Sequence, residues 1–135
     1  MRETRTARLP RALGWLVLLA AVLGSAPAVA ARSPAEEERI AYLIASVAAM
    51  SDAQFIRNGT RYDARAAAEH LRIKLSLAGS HVQSAEDFIR YCATGSSVSG
   101  QPYQIRLADG QLVPAADFLR AKLAQYDRSH GAQGP

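Results

Sequence analysis

The chain has 135 residues, 16 Lys and Arg against 12 Asp and Glu, and a single cysteine, Cys92. One cysteine excludes an internal disulfide, so stability has to come from packing. The basic surplus is concentrated at the start: setting aside residues 1–30 removes Arg2, Arg5, Arg8 and Arg11 and one acid, Glu3, which leaves 12 cations against 11 anions. A nearly neutral remainder gives no electrostatic footprint for a polyanion, and nucleic acid is not an expected partner.

The first elements read as an export signal. Four arginines precede an uncharged run, Ala12 to Gly24, followed by small residues ending Ala28-Val29-Ala30, the small-x-small pattern that signal peptidase accepts. Residues 1–30 are expected to be a cleaved signal peptide, with cleavage between Ala30 and Ala31. The apolar run is short of the ~20 residues a spanning helix needs, so no stable membrane anchor is expected after cleavage, and the periplasm is the expected compartment. Residues 31–127 are then expected to form one small globular domain, and 128–135, small and polar, a disordered tail.

Ser33-Pro34-Ala35-Glu36 forms a capping box with proline at the first helical position. Ile40, Leu43, Ile44, Val47 and Met50 follow at three- and four-residue spacing, which predicts a helix ending near Met50. Ser51 to Arg57 offers a second cap-like start but only about two turns of chain before Asn58-Gly59, so a short helical turn closed by a tight turn is expected. Asp63 caps the next helix, which runs through Leu77 and stops at Gly79. Ser84 opens a third, with Ala85, Phe88, Ile89 and Cys92 inward and Gly95 ending it. Tyr103 to Leu107 alternates, Asp109-Gly110 is a turn, and Gln111 to Val113 is a second short run, which together predict a β-hairpin. Pro114 begins a last helix with Phe118, Leu119, Leu123 and Tyr126 on one face. The expected fold is α+β, predominantly helical: about four helices with one hairpin before the last.

Phe55-Ile56-Arg57-Asn58-Gly59, His70-Leu71 with Lys74, Ala85-Glu86-Asp87-Phe88-Ile89 and Ser96-Ser97-Val98-Ser99-Gly100-Gln101-Pro102-Tyr103 occur in this order over most of the chain after residue 31. In these segments the chain resembles the YfeK-like family of small bacterial envelope proteins, which carry a domain of unknown function. The resemblance implies a bacterial, periplasmic protein and brings no reaction, ligand or catalytic residue.

One cluster stands apart from the core pattern. Projected at 100° per residue, Arg65, Glu69, Arg72 and Ser76 share a solvent face, while His70 and Lys74 fall near the middle of an otherwise apolar arc between Ile73 and Leu77 on one flank and Ala68, Leu71 and Leu75 on the other. Lysine is seldom buried without a partner. On one reading His70 bonds a core carbonyl and Lys74 reaches out to water along its stem. On the other the stripe faces a polar pocket, with Glu86 balancing Lys74 and Arg57, Asn58, Ser97, Ser99 and Tyr103 adding hydrogen-bonding groups. That pocket would suit a small anionic or hydroxylated ligand or a carboxylate-bearing peptide end.

The expected function is therefore binding of a small ligand or an envelope protein. An inhibitor or chaperone-like interaction protein is one alternative, using helix faces or the edge of the hairpin. A small serine-dependent hydrolase is another, although no Gly-x-Ser-x-Gly elbow or Ser-x-x-Lys pair is present. No catalytic residue is assigned. His70, His81 and His130 are too scattered for a zinc pattern, the Gly95 to Gly100 stretch lacks a phosphate-loop ending, and neither a metal nor a cofactor is expected.

Overall fold

A computed structural model describes residues 31–131, so the expected signal peptide and residues 132–135 lie outside it. The element order is α1 (Pro34–Ala48), β1 (Gln54–Arg57), β2 (Thr60–Tyr62), α2 (Ala64–Ala78), α3 (Ala85–Phe88), β3 (Gln104–Arg106), β4 (Leu112–Pro114) and α4 (Ala115–Gly131). A 3-10 turn, Gly79–His81, follows α2, and α3 widens into a π turn over Ile89–Ala93. The fold class is α+β with helix dominating. Among the described residues no helix is long and apolar enough to cross a membrane.

The predicted caps are in place. Ser33, Asp63 and Ser84 each accept from a backbone N–H three residues on, which satisfies a donor that the first helical turn leaves unpaired. Two consecutive acids, Glu36 and Glu37, sit in the first turn of α1, where the helix dipole favours negative charge. Glu36 also reaches across to accept from the Ala85 backbone at 2.6 Å, and so ties the start of α3 to α1.

The hairpin before the last helix is present as β3 and β4, with Ile105 opposite Val113. A second hairpin replaces the short helical turn expected over Ser51 to Arg57. Asn58 (φ 52°) and Gly59 (φ 75°) are both left-handed, the requirement of a two-residue hairpin loop that matches strand twist, and they place Arg57 opposite Thr60 and Phe55 opposite Tyr62. Once that turn forms, Gln54 to Arg57 gains a ladder on both sides, and the weak helical preference of so short a segment is overridden. The two hairpins lie side by side in one antiparallel sheet of order β2-β1-β3-β4, joined where Phe55 faces Ile105.

The helices cover one face of this sheet. Ile40, Leu43 and Val47 of α1, Val82, Phe88, Ile89 and Cys92 around α3, Ile105 of β3 and Leu119 of α4 are all essentially inaccessible and form one core. Cys92 is a small buried hydrophobe there, its thiol pushed up chiefly by burial.

Two further expectations are corrected. Residues 128–131, expected in a disordered tail, form the last turn of α4. That end is held down: Asp127 takes two bonds from Arg39 at 2.7 and 3.0 Å, and the Tyr126 ring packs on Tyr42 and stacks on His130 with centroids 3.9 Å apart. The inward arc of α2 is also rotated from its projected position. Ala64, Ala68 and Leu71 are buried, whereas Ile73 and Leu77 are 50% and 82% exposed, so His70 and Lys74 stand at the edge of the buried face and not at its middle. α2 packs mainly against α1 and the Ile89–Ala93 turn, which leaves its outer flank open.

Candidate functional site

Side chains alternate across a strand, so Arg57 lies on the same face of β1 as the buried Phe55, the face turned toward the helices. The Asn58-Gly59 register brings Tyr62 of β2 onto that face as well. Arg57 meets His70 of α2, Nη1 lying 2.9 Å from Nδ1 and 3.1 Å from Nε2. A donor almost equidistant from both ring nitrogens cannot lie in the ring plane, where Cε1 blocks it, so the guanidinium rests over the face of the imidazole. The other amino group, Nη2, donates to the Tyr62 hydroxyl at 3.1 Å.

Tyr103, just before β3, links the two cationic positions of α2. Its hydroxyl is 3.1 Å from His70 Nε2 and accepts from Lys74 Nζ at 3.2 Å. Lys74 also donates to the Gly95 carbonyl at 2.9 Å and lies 5.0 Å from the centre of the Tyr103 ring. A hydroxyl that accepts from an ammonium has its own proton to give, and His70 Nε2 is the acceptor in reach. That assignment of roles leaves the single imidazole proton on Nδ1. Burial first, then the charges of Arg57 and Lys74, holds the His70 pKa below its ordinary value, so the ring is neutral at pH 7.

The serine-rich connection is an ordered turn. Tyr103 N–H bonds the Thr94 carbonyl, Ser96 N–H bonds Gln101 O, and Gly95 bridges to Pro102. A side chain at Gly95 would put its Cβ 2.9 Å from the Gln101 carbonyl oxygen, which is why this bridge position is a glycine. Ser96, which is buried, accepts from the Asn58 amide at 3.2 Å and from the backbone N–H groups of Val98 and Ser99. Ser99 in turn donates to Asn58 Oδ1. Asn58 thus fastens the β1–β2 turn to this loop.

A cavity of about 290 Å³ opens between α2, the inner face of the sheet and the first turns of α4. Val47, Phe55, Leu71, Ile73, Ile105 and Leu119 give it largely apolar walls, and Arg57, Tyr62, His70 and Tyr103 stand together on one side. Glu69 is at the rim, on the exposed side of α2, and is paired with Arg72 one turn away.

Of the residues singled out in the sequence, Arg57, His70 and Tyr103 line this cavity, and Lys74 stands behind Tyr103. Asn58 and Ser99 support the neighbouring turns. Ser97 is exposed, and Glu86 is not a partner of Lys74: it lies on the surface and accepts from Arg120 of α4 at 2.8 and 3.0 Å. The pocket expected to be polar is apolar with one polar side. Tyr62 was not singled out, although a two-residue Asn-Gly hairpin fixes it on the face of Arg57 and would have revealed it.

Fold and site together define a small α+β domain with a helix-covered sheet and an apolar cleft bearing a cationic edge. The chain belongs to DUF5329, a family of unknown function, which it matches over residues 34–127. It is similar to the uncharacterized protein YfeK of Salmonella typhimurium, 37% identical over 83 residues, which is 62% of this chain and 69% of that protein. No solved structure matches the chain.

Proposed function

We propose that this is a small-ligand-binding module of an exported, periplasmic protein. The observation that carries the reading is the cavity between α2 and the sheet, apolar over most of its wall and with the donors of Arg57, Tyr62, His70 and Tyr103 gathered at one side. Small-molecule sites have this composition, a concave apolar surface with a few convergent polar groups, and the volume is at the lower end of their range. Export rests on the arginine-led, uncharged N-terminal segment and its Ala28-Val29-Ala30 ending. A serine-dependent hydrolase gains no support from the geometry, because the hydroxyls of Ser96 and Ser99 bond the amide of Asn58 and not His70.

A neutral apolar fluorophore, N-phenyl-1-naphthylamine, tests the cavity without reference to charge. Saturable fluorescence enhancement is expected, with amide shifts in heteronuclear NMR spectra at Leu71, Ile73, Ile105 and Leu119. Ala67→Phe, which places a ring in the cavity wall, is expected to abolish it in a protein that still unfolds cooperatively. Binding that survives in folded Ala67→Phe would place the probe elsewhere and overturn the reading.

A further inference from the structure

We infer that the ligand of this cleft is an amphipathic carboxylate, an apolar group seated against the α2–sheet wall with its anionic end at Arg57 and His70. The inference rests on the cleft being a ligand site and adds the chemistry of the ligand.

Three features of the polar side lead to it. None of the ion pairs among the described residues includes Arg57 or Lys74, although Arg32, Arg39, Arg72, Arg90 and Arg120 each have a carboxylate partner. The guanidinium over His70 makes one bond to Tyr62 with Nη2, and its contact with the imidazole is to the ring face, so the planar fork keeps N–H groups for an acceptor. His70, with its proton assigned to Nδ1 and its Nε2 engaged by Tyr103, presents a second donor.

The surrounding groups all favour one sign of charge. Arg57 comes from β1, Tyr62 from β2, His70 and Lys74 from α2 and Tyr103 from the approach to β3, while the rim carboxylate, Glu69, is turned toward Arg72. A neutral ligand would leave the guanidinium without a counter-charge in a partly desolvated wall. A carboxylate would take two parallel N–H bonds from it and gain from the low dielectric of the neighbouring apolar surface. The apolar residues forming the rest of the cavity call for a hydrocarbon or hydrophobic side chain attached to that carboxylate.

Two sources share this chemistry, a free alkyl carboxylate and the C-terminal residue of a peptide. Titration of the mature domain, residues 31–135, with two matched pairs separates them and tests the charge: octanoate against octan-1-ol, and N-acetyl-leucine against N-acetyl-leucinamide. In at least one pair the carboxylate is expected to bind about tenfold or more tightly than its neutral analogue, the worth of one charge-assisted hydrogen bond. The pair that shows the preference names the source. Arg57→Met is expected to reduce the preference to within about twofold, and Arg57→Lys, which keeps the charge without the fork, to retain part of it. Equal affinity within both pairs, or a preference that persists in folded Arg57→Met, overturns the inference and leaves the cavity reading standing. Failure of every compound and of the neutral fluorophore overturns both.

Discussion

Tyr103→Phe tests the link between the cavity edge and the stability of the fold. The substitution keeps the ring, which is buried, and removes one oxygen that serves both Lys74 Nζ at 3.2 Å and His70 Nε2 at 3.1 Å. The ammonium is left with the Gly95 carbonyl, and the imidazole lone pair with no protein donor. A hydrogen bond to a charged group contributes about 1.5–3 kcal/mol and one between neutral groups about 0.5–1.5 kcal/mol. Both α2 side chains are only half-buried, so water recovers part of this, and the expected loss is about 1–3 kcal/mol. For a domain of this size each 1 kcal/mol corresponds to roughly 4–8 °C in Tm. Urea denaturation of wild type, Tyr103→Phe, Lys74→Met and the double variant closes a thermodynamic cycle. Lys74→Met removes the charge that Tyr103 compensates, so the second substitution is expected to cost about 1 kcal/mol less in the presence of the first. Additivity within about 0.3 kcal/mol would show that the two groups do not interact in solution, and would refute the assignment of Lys74 as the support for Tyr103.

Gly95→Ala is expected to destabilise by about 1–3 kcal/mol, since its Cβ meets the Gln101 carbonyl oxygen at 2.9 Å and backbone has to move to relieve it; chemical denaturation measures this. Asn58→Ala is expected to cost about 1 kcal/mol more than Asn58→Gly by the same assay, because both lose the bonds to Ser96 and Ser99 while only alanine is strained at φ 52°. His70 gives a pH dependence. Its pKa is lowered on folding, by burial first and then by Arg57 and Lys74, with the tyrosines Tyr62 and Tyr103 completing its surroundings. The unfolded chain therefore binds the proton first, and stability is expected to fall as pH drops below about 6.5 toward the lower folded value, and to level off beneath it. In His70→Gln that loss is expected to disappear from the pH 5–7 stability profile.

The capped helices were legible because each start is written locally: Ser33, Asp63 and Ser84 act on backbone groups three residues away, and the apolar spacing of α1 needs only 3.6-residue periodicity. The first hairpin was not, since β2 is three residues long and shows no alternation, and its only signal is the Asn-Gly turn. On α2 the pattern gave the exposed face correctly, Arg65, Glu69, Arg72 and Ser76. It did not give the rotation of the buried arc, which is set by the packing of α2 against α1 and the Ile89–Ala93 turn and not by the helix alone. Pairings across elements were the least accessible: Glu86 with Arg120 spans 34 positions and Arg39 with Asp127 spans 88. No local rule selects Arg120 over Lys74 as the partner of a glutamate.

The placement of charge separates the cleft from the rest of the fold. On the outer surface the chain supplies carboxylates freely, and exposed pairs such as Arg72–Glu69 and Arg90–Asp87 contribute little to stability. At the cleft, where a lone cation costs more because water is partly excluded, Arg57 is met by a phenol and an imidazole, and Lys74 by a phenol and a carbonyl. A wall arranged for stability alone would set a carboxylate beside the guanidinium or replace both with hydrocarbon. Neutral groups hold the cations in position and leave their charge uncancelled, an arrangement that local rules disfavour and that an incoming anion completes.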